Sequence, residues 1–282
     1  MRLAIALLST AVASCANIVA VNHTAARLVA ASDSWNDVLA EYRKSCEREM
    51  RTTSAINDCT RQSIASDQLT KTNAVLASYF IALRDASDEK NLTIQPGLDD
   101  LVTSFKEIPG VPADQVEAVS GLFGLLTHLA TQAMREEIIK DLIVGGTDDA
   151  RTLISALEKL TGPLDTQLTT EEDKLTGLFG TKINSVHDDG TNPMALCQGN
   201  VATTLSGTGY LLSLEYCRQA QVISQRKDAL AKYRSSLREA DSALSELKSS
   251  KDTLSNKALA QHLYAIGASL QSNVEAVRKA YN

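Results

Sequence analysis

DALAKYRSSLREADSALSELKSS, residues 228–250, carries the most regular hydrophobic spacing in the chain. Leu230, Tyr233, Leu237, Ala240, Leu244 and Leu247 succeed one another at steps of three and four, the a and d positions of a heptad, which an α-helix gathers into one stripe. The spacing reaches Leu254 but is interrupted by Lys251, and SSKDTLSN, from Ser249, reads as a turn. Leu263, Ile266, Leu270, Val274, Val277 and Tyr281 then resume an amphipathic stripe to the end of the chain. Two such helices either form an antiparallel hairpin inside a bundle or pair with another chain as a coiled coil. The interruption leaves too few unbroken heptads for the second, so the hairpin is expected.

The rest of the sequence agrees with that period. Of 282 residues, 44% are apolar, enough for a sizeable core, while Gly (14) and Pro (5) are sparse and aromatics make up only 4%. Ala, Leu, Ser, Lys and Glu dominate, most of them good helix formers. Strand signals are weak, and no repeat of fixed period is evident. The expected fold is all-α: an elongated bundle of about six to eight helices with coiled-coil-like C-terminal helices.

Moving toward the N-terminus, HDDGTNPM (187–194) reads as a long loop or a break between two halves of the body, and Gly207 and Gly209 obscure the pattern beyond it. A helix is expected from Pro112 or Asp114 to Val144, where Gly145-Gly146 would end it, and another would end at Thr161-Gly162-Pro163 before a piece running to about Val186. Shorter helices are expected over Leu98–Glu107 and Thr60–Ala86, the latter with Ile64, Leu69, Leu76, Phe80 and Leu83 inward. The first helix is expected from about His23, with Ser32-Asp33-Ser34 as an internal cap or kink and Trp35, Val38, Leu39 and Tyr42 on its apolar side. RTTSAIND (51–58) breaks that pattern.

The opening stretch is MRLAIALLSTAVASCAN, residues 1–17. Arg2 is its only charge, the run from Leu3 to Ala13 is apolar, and small residues close it, as in a secretory signal. The run is shorter than the roughly 20 residues a membrane-spanning helix needs. Ala11-Val12-Ala13 fits ordinary signal-peptidase cleavage. Val12-Ala13-Ser14-Cys15 resembles the lipobox of bacterial cell-envelope lipoproteins, with a signal of only fourteen residues and one basic residue. That resemblance implies that the Cys15 thiol carries a diacylglycerol, that cleavage precedes it, and that its new amine is acylated. Ala16 rather than Asp after the cysteine implies, by resemblance to enteric lipoproteins, sorting to the outer membrane. The expected organisation is a signal peptide (1–14), a lipidated tether (15–22) and a helical body (23–282).

Five cysteines occur: Cys15, Cys46, Cys59, Cys197 and Cys217. Lipidation of Cys15 would leave four, which can pair as two disulfides in any of three ways. On one unbroken helix Cys46 and Cys59 would stand about 19 Å apart, against the roughly 7 Å between α-carbons that a disulfide allows. The chain must therefore turn near Thr52–Asp58, or these cysteines have other partners; Cys197 and Cys217 require a bend near GNVATTLSGTG or other partners for the same reason.

The formal charge is −6, which disfavours nucleic acid as a partner. It is uneven: residues 84–174 hold eighteen acidic and eight basic side chains, residues 218–282 six and eleven. Helix faces that neutralise each other within the fold account for this; a basic patch for an acidic partner is the alternative. Catalytic signatures are missing from the pattern. His23, His128, His187 and His262 stand in no zinc spacing. His187-Asp188-Asp189 reads as a turn, and Gly121 and Gly124 as close helix packing. Glu136-Glu137 and Glu171-Glu172-Asp173 read as exposed carboxylates rather than an acid–base pair. No catalytic residue, metal site or cofactor is expected. The functional expectation is a non-catalytic, lipid-anchored adaptor, scaffold or binding protein facing the periplasm, attached to the membrane through its lipid and bound to an envelope protein. A periplasmic immunity or inhibitor lipoprotein that neutralises a toxin or hydrolase is second, with the acidic middle segment as its surface, and an enzyme of unrecognised type third.

Overall fold

A computed structural model describes residues 3–53, 58–88, 98–132, 135–186, 197, 208–251 and 257–281. Among them are seven helices: α1 (Leu3–Thr53), α2 (Thr60–Ser87), α3 (Leu98–Lys106), α4 (Ala113–Leu129), α5 (Arg135–Val186), α6 (Thr208–Ser249) and α7 (Lys257–Tyr281). The fold is an all-α bundle. The 52 residues of α5 make a rod about 78 Å long at 1.5 Å per residue.

Cross-helix bonds set the directions. Asn22 Nδ2 donates to Arg84 O at 3.0 Å, so the start of α1 meets the end of α2 and the two run antiparallel. Tyr79 OH donates to Leu142 O at 3.1 Å, and Arg48 Nε to Glu171 Oε1 at 2.7 Å, so α5 descends beside α1. Lys227 pairs with Glu172 and Lys248 with Asp148, which sends α6 back up. Thr24 Oγ1 donates to Leu263 O at 3.1 Å, while Arg226 Nη1 donates to Ala280 O at the other end, so α7 descends again. The expected C-terminal hairpin is therefore formed within one chain, and Leu230, Tyr233, Leu237, Ala240, Leu244 and Leu247 are all buried. Trp35 of α1, fully buried, meets Tyr233 edge-on at 5.6 Å between ring centroids, in the core that α1, α2, α5, α6 and α7 share.

Several boundaries differ from the sequence expectation. The helix expected over 114–144 is two antiparallel helices: α4 ends at Leu129, where Gln132 N donates to Leu129 O at 3.0 Å, and α5 starts at Arg135. One straight helix would carry Ile139, Leu142 and Ile143 about 20 Å past Leu129; folding back buries all three beneath α2 and α4. Gly145-Gly146 does not end a helix. A Cβ on Gly146 would lie 2.5 Å from Tyr79 Cε2 and 3.0 Å from Leu125 Cδ2, so the residue serves a close approach of three helices. Nor does Gly162-Pro163 stop α5, although proline removes a backbone donor there. Arg234 of α6 braces that turn, its Nη2 donating to Thr161 O at 2.9 Å and its Nε to Thr161 Oγ1 at 2.8 Å.

α1 starts at Leu3 rather than near His23, and Ala20 and Val21 are buried. Residues 20–22, expected within the tether, thus belong to the packed body. Ser32 and Ser34 form neither cap nor kink: their hydroxyls donate to Val29 O and Ala31 O, both at 2.8 Å, inside a continuous helix. Ile64 is 38% exposed rather than inward. The expected break at 187–194 and the turn at 54–57 lie outside the described residues.

α5 and α6 outrun the other helices. Alongside the last turn of α1 and past it they continue as a two-helix arm, with Leu175, Phe179, Tyr216 and Ile223 forming a second, small core separate from the main one. The fold thus has a many-helix body and a thin arm at the end opposite the start of α1.

Candidate functional site

The densest group of buried charges lies where the arm leaves the body. Glu41 comes seven residues after Ser34 and three after Val38, which places it on the apolar side of α1, and its side chain is 1% exposed. Arg48, two turns further on, reaches back to Glu41 and across to Glu171 of α5, with Nη2 donating to Glu171 Oε2 at 2.9 Å. Ser45 Oγ donates to the same carboxylate at 2.6 Å. From α6, Arg226 Nε stands 3.8 Å from Glu41 Oε2, an ion pair beyond hydrogen-bond reach, and its guanidinium lies 3.7 Å over the Tyr281 ring. Four helices converge on this cluster.

Burial pushes the Glu41 carboxyl above its ordinary range, against the pull of Arg48 and Arg226. Burial also opposes the Arg48 charge, but the hydrogen bonds and charges of Glu171 and Glu41 outweigh it and hold the guanidinium protonated. The Tyr281 hydroxyl is pushed far up, by burial first and the Glu41 charge second. Such a network ties helices together at a desolvation cost. Sequence reasoning placed Glu171 on an exposed face; it is buried because Arg48 and Ser45 meet it. It passed over Glu41, whose position on an apolar stripe was the available signal.

Beside the cluster opens a cavity of about 260 Å³. α1 contributes Arg48, Glu49 and Arg51, α5 contributes Glu171, Lys174 and Leu175, and α6 contributes Arg218, Gln219, Val222 and Ile223. Lys174 pairs with Glu49, and Arg218 with Glu215 at 2.6 Å. The lining holds four cations and two carboxylates over an aliphatic floor. A second, open groove of about 580 Å³ between α4, α5 and α6 is crossed by Arg151–Asp241 at 2.7 Å and Arg238–Glu158 at 2.8 Å. With Lys227–Glu172, Arg234–Asp165 and Lys248–Asp148, Arg238–Glu158 joins acids of the middle segment to bases of the C-terminal one between α5 and α6, while Arg151–Asp241 runs the opposite way.

Cys46 and Cys59 sit at disulfide distance, Cα to Cα 6.0 Å, and so do Cys197 and Cys217 at 5.3 Å. The first pair closes the α1–α2 connection beside the cluster, and the second closes the arm. Cys15 falls within the helical backbone of α1, far up that helix from the cavity. His187-Asp188-Asp189 lies outside the described residues. His23 packs on Tyr264 at 4.9 Å between centroids, its pKa lowered by burial and by Arg27, while His128 and His262 are exposed. Gly121 matches its expected role, since a Cβ there would collide with the Asp149 carboxylate; Gly124 has open space. Among the described residues no group of three or more His, Cys, Asp or Glu could hold a metal ion, and no helix is long and apolar enough to cross a membrane. Comparison with known families, curated proteins and solved structures returns no match to the chain.

Proposed function

We propose that this chain is a lipid-anchored adaptor or binding protein of the bacterial envelope, held by an acylated Cys15 and acting through protein contacts rather than catalysis. The observation that carries the reading is Val12-Ala13-Ser14-Cys15 at the close of an uncharged run that begins after Arg2. Two or three acyl chains on one cysteine would make attachment lasting, since each buried methylene contributes about 0.8 kcal/mol and one chain alone holds weakly. The architecture is compatible with such a role. The start of α1 stands at one end of the bundle and the arm at the other, so a lipid at Cys15 would leave the cavity and the arm facing away from the membrane. From Val19 to Arg51 is about 48 Å along the helix axis, and the arm reaches beyond that.

Growth of a bacterial host expressing the full chain in radiolabelled palmitate, beside a Cys15→Ala variant, tests the anchor. Label is expected on the wild type alone, with the variant released from the membrane fraction. A wild type that takes up no label and keeps its initial methionine overturns the proposal.

A further inference from the structure

Very little chain separates Cys15 from the packed body. Ala20 and Val21 are already buried, and Thr24 Oγ1 donates to Leu263 O across the core at 3.1 Å. Only residues 16–19 lie between. The α1 backbone runs unbroken through them from Leu3. As helix they set Ala20 about 7.5 Å from Cys15 along the axis, and pulled out straight they span at most about 18 Å. Two other helices end at nearly the same height. Asp88 comes one turn after Arg84, whose carbonyl accepts from Asn22, so it stands level with Ile18. Lys257, the exposed first residue of α7, comes six residues before Leu263, whose carbonyl accepts from Thr24, and stands level with Ile18 too. That height is about 4.5 Å below Cys15 along the axis. The headgroup layer of one leaflet is about 5–8 Å deep, so a lipid on Cys15 brings this end of the bundle into it.

We infer that the end of the bundle where α2 finishes and α7 begins is seated on lipid headgroups, so that the chain stands on the bilayer as a post of fixed height instead of hanging from a free tether. The contact is imposed by the length of residues 16–19 and by the continuity of α1, not by a charged patch. Val19, 57% exposed although its neighbours Ala20 and Val21 are buried, lies at the seated height. Everything further down is held at a distance set by helix length. Arg51, at the junction cavity, stands about 54 Å from Cys15, and the arm reaches beyond it. A partner of the cavity or the arm is therefore met at a set height above the membrane. The inference rests on the acylation of Cys15 proposed above and adds where the body lies once that lipid is in place.

The test uses the full chain expressed in a host fed radiolabelled palmitate, purified and reconstituted in phosphatidylethanolamine and phosphatidylglycerol vesicles. The vesicles are doped with a lipid that carries a nitroxide quencher on its headgroup. Lys257→Trp and Leu214→Trp place a fluorescent reporter at either end of the molecule, each in a variant whose circular dichroism matches the wild type. Trp35, fully buried and about 30 Å along α1 from Cys15, supplies a constant background. The nitroxide should quench at least half of the added emission at position 257 and none at position 214. A spacer of about twelve Gly and Ser residues inserted after Ala16 should lift the body and remove most of the quenching at 257. Palmitate-labelled chain without quenching at 257, or with quenching equal before and after insertion of the spacer, overturns the seat and leaves the anchor standing. Quenching at 214 as strong as at 257 also overturns it, because the bundle then lies on its side. A chain that takes up no palmitate overturns the anchor, and the seat with it.

Discussion

The body and the arm are built on the same two helices, yet they are held together by different means. In the body, α5 and α6 are covered by α1, α2, α4 and α7, and Trp35, Tyr79, Tyr233 and a dozen leucines lose all contact with water. In the arm, among the described residues, the apolar core between the two helices is the small cluster of Leu175, Phe179, Tyr216 and Ile223, and Cys217 of α6 pairs with Cys197. A two-helix pair buries one stripe per helix and leaves the opposite side wet, so its packing cannot match that of a five-helix core. Continuity of a helix does not make its stability uniform; the local neighbours decide it.

The largest expected effect falls at the junction. Arg48→Ala leaves Glu41 and Glu171 buried without their shared cation, and should cost about 3–5 kcal/mol, read as a shift of the urea midpoint. A loss under 1 kcal/mol would show that the cluster does not tie α1 to α5. Next come the two cysteine pairs. Cys46→Ser with Cys59→Ser opens a connection between helices of the main core and should lower global stability by about 2–4 kcal/mol. Cys197→Ser with Cys217→Ser should instead raise hydrogen exchange in 175–186 and 208–223 while the cooperative unfolding of the body changes little. Equal global losses from both pairs would mean that body and arm unfold as one unit.

Two glycines of α5 sharpen the contrast. Gly146→Ala drives a Cβ to within 2.5 Å of the Tyr79 ring and should cost about 1–3 kcal/mol. Gly177→Ala, in the arm, meets nothing within 4 Å and should stabilise the helix by about 0.5–1 kcal/mol; both are read from thermal midpoints. Acid–base behaviour should also differ in sign. The Glu41 pKa is raised in the folded chain, so the folded state holds that proton more tightly and the contribution of Glu41 falls as pH rises through the raised value. Glu41→Gln should flatten stability against pH above the ordinary carboxylate range. In the arm, hydrogen bonds from Arg218 and Gln219 lower Glu215 to about 2, so its contribution is full above the ordinary carboxylate pKa and is lost as pH falls toward 2. Its exposure keeps that effect small. The smallest change is expected for Arg151→Ala, which removes a half-exposed pair with Asp241 and should cost under about 1 kcal/mol.

Much of this architecture was legible from spacing. The stripes through Leu230 to Leu247 and Leu263 to Val277 announced α6 and α7, and their break at Lys251 announced the turn back. Glycine and proline misled: Gly145-Gly146 and Gly162-Pro163 look like stops, but both sit inside α5, Gly146 where Tyr79 and Leu125 approach closely and Gly162-Pro163 beside Arg234 of α6. Conversely, the turn after Leu129 has neither residue. Thr131 and Gln132 end α4 through bonds to His128 and Leu129, and the advantage of turning there is burial against α2, which no local pattern records. The junction cluster was unread for a similar reason: Glu41, Arg48, Glu171 and Arg226 are scattered over 185 positions and acquire meaning only when four helices meet.

By itself the amino-acid order determined that the chain is helical, which sides of its helices are apolar, and that residues 1–15 carry an export-like signature. Those properties are local, set by side chains within a few turns of one another. Which helices stand side by side, where α5 and α6 lose their cover, and which carboxylate is shut away from water were decided by tertiary packing. The physical reason is that burial and charge pairing are sums over neighbours distant in the chain, and the same glutamate is a solvated charge or a buried tie according to what packs against it.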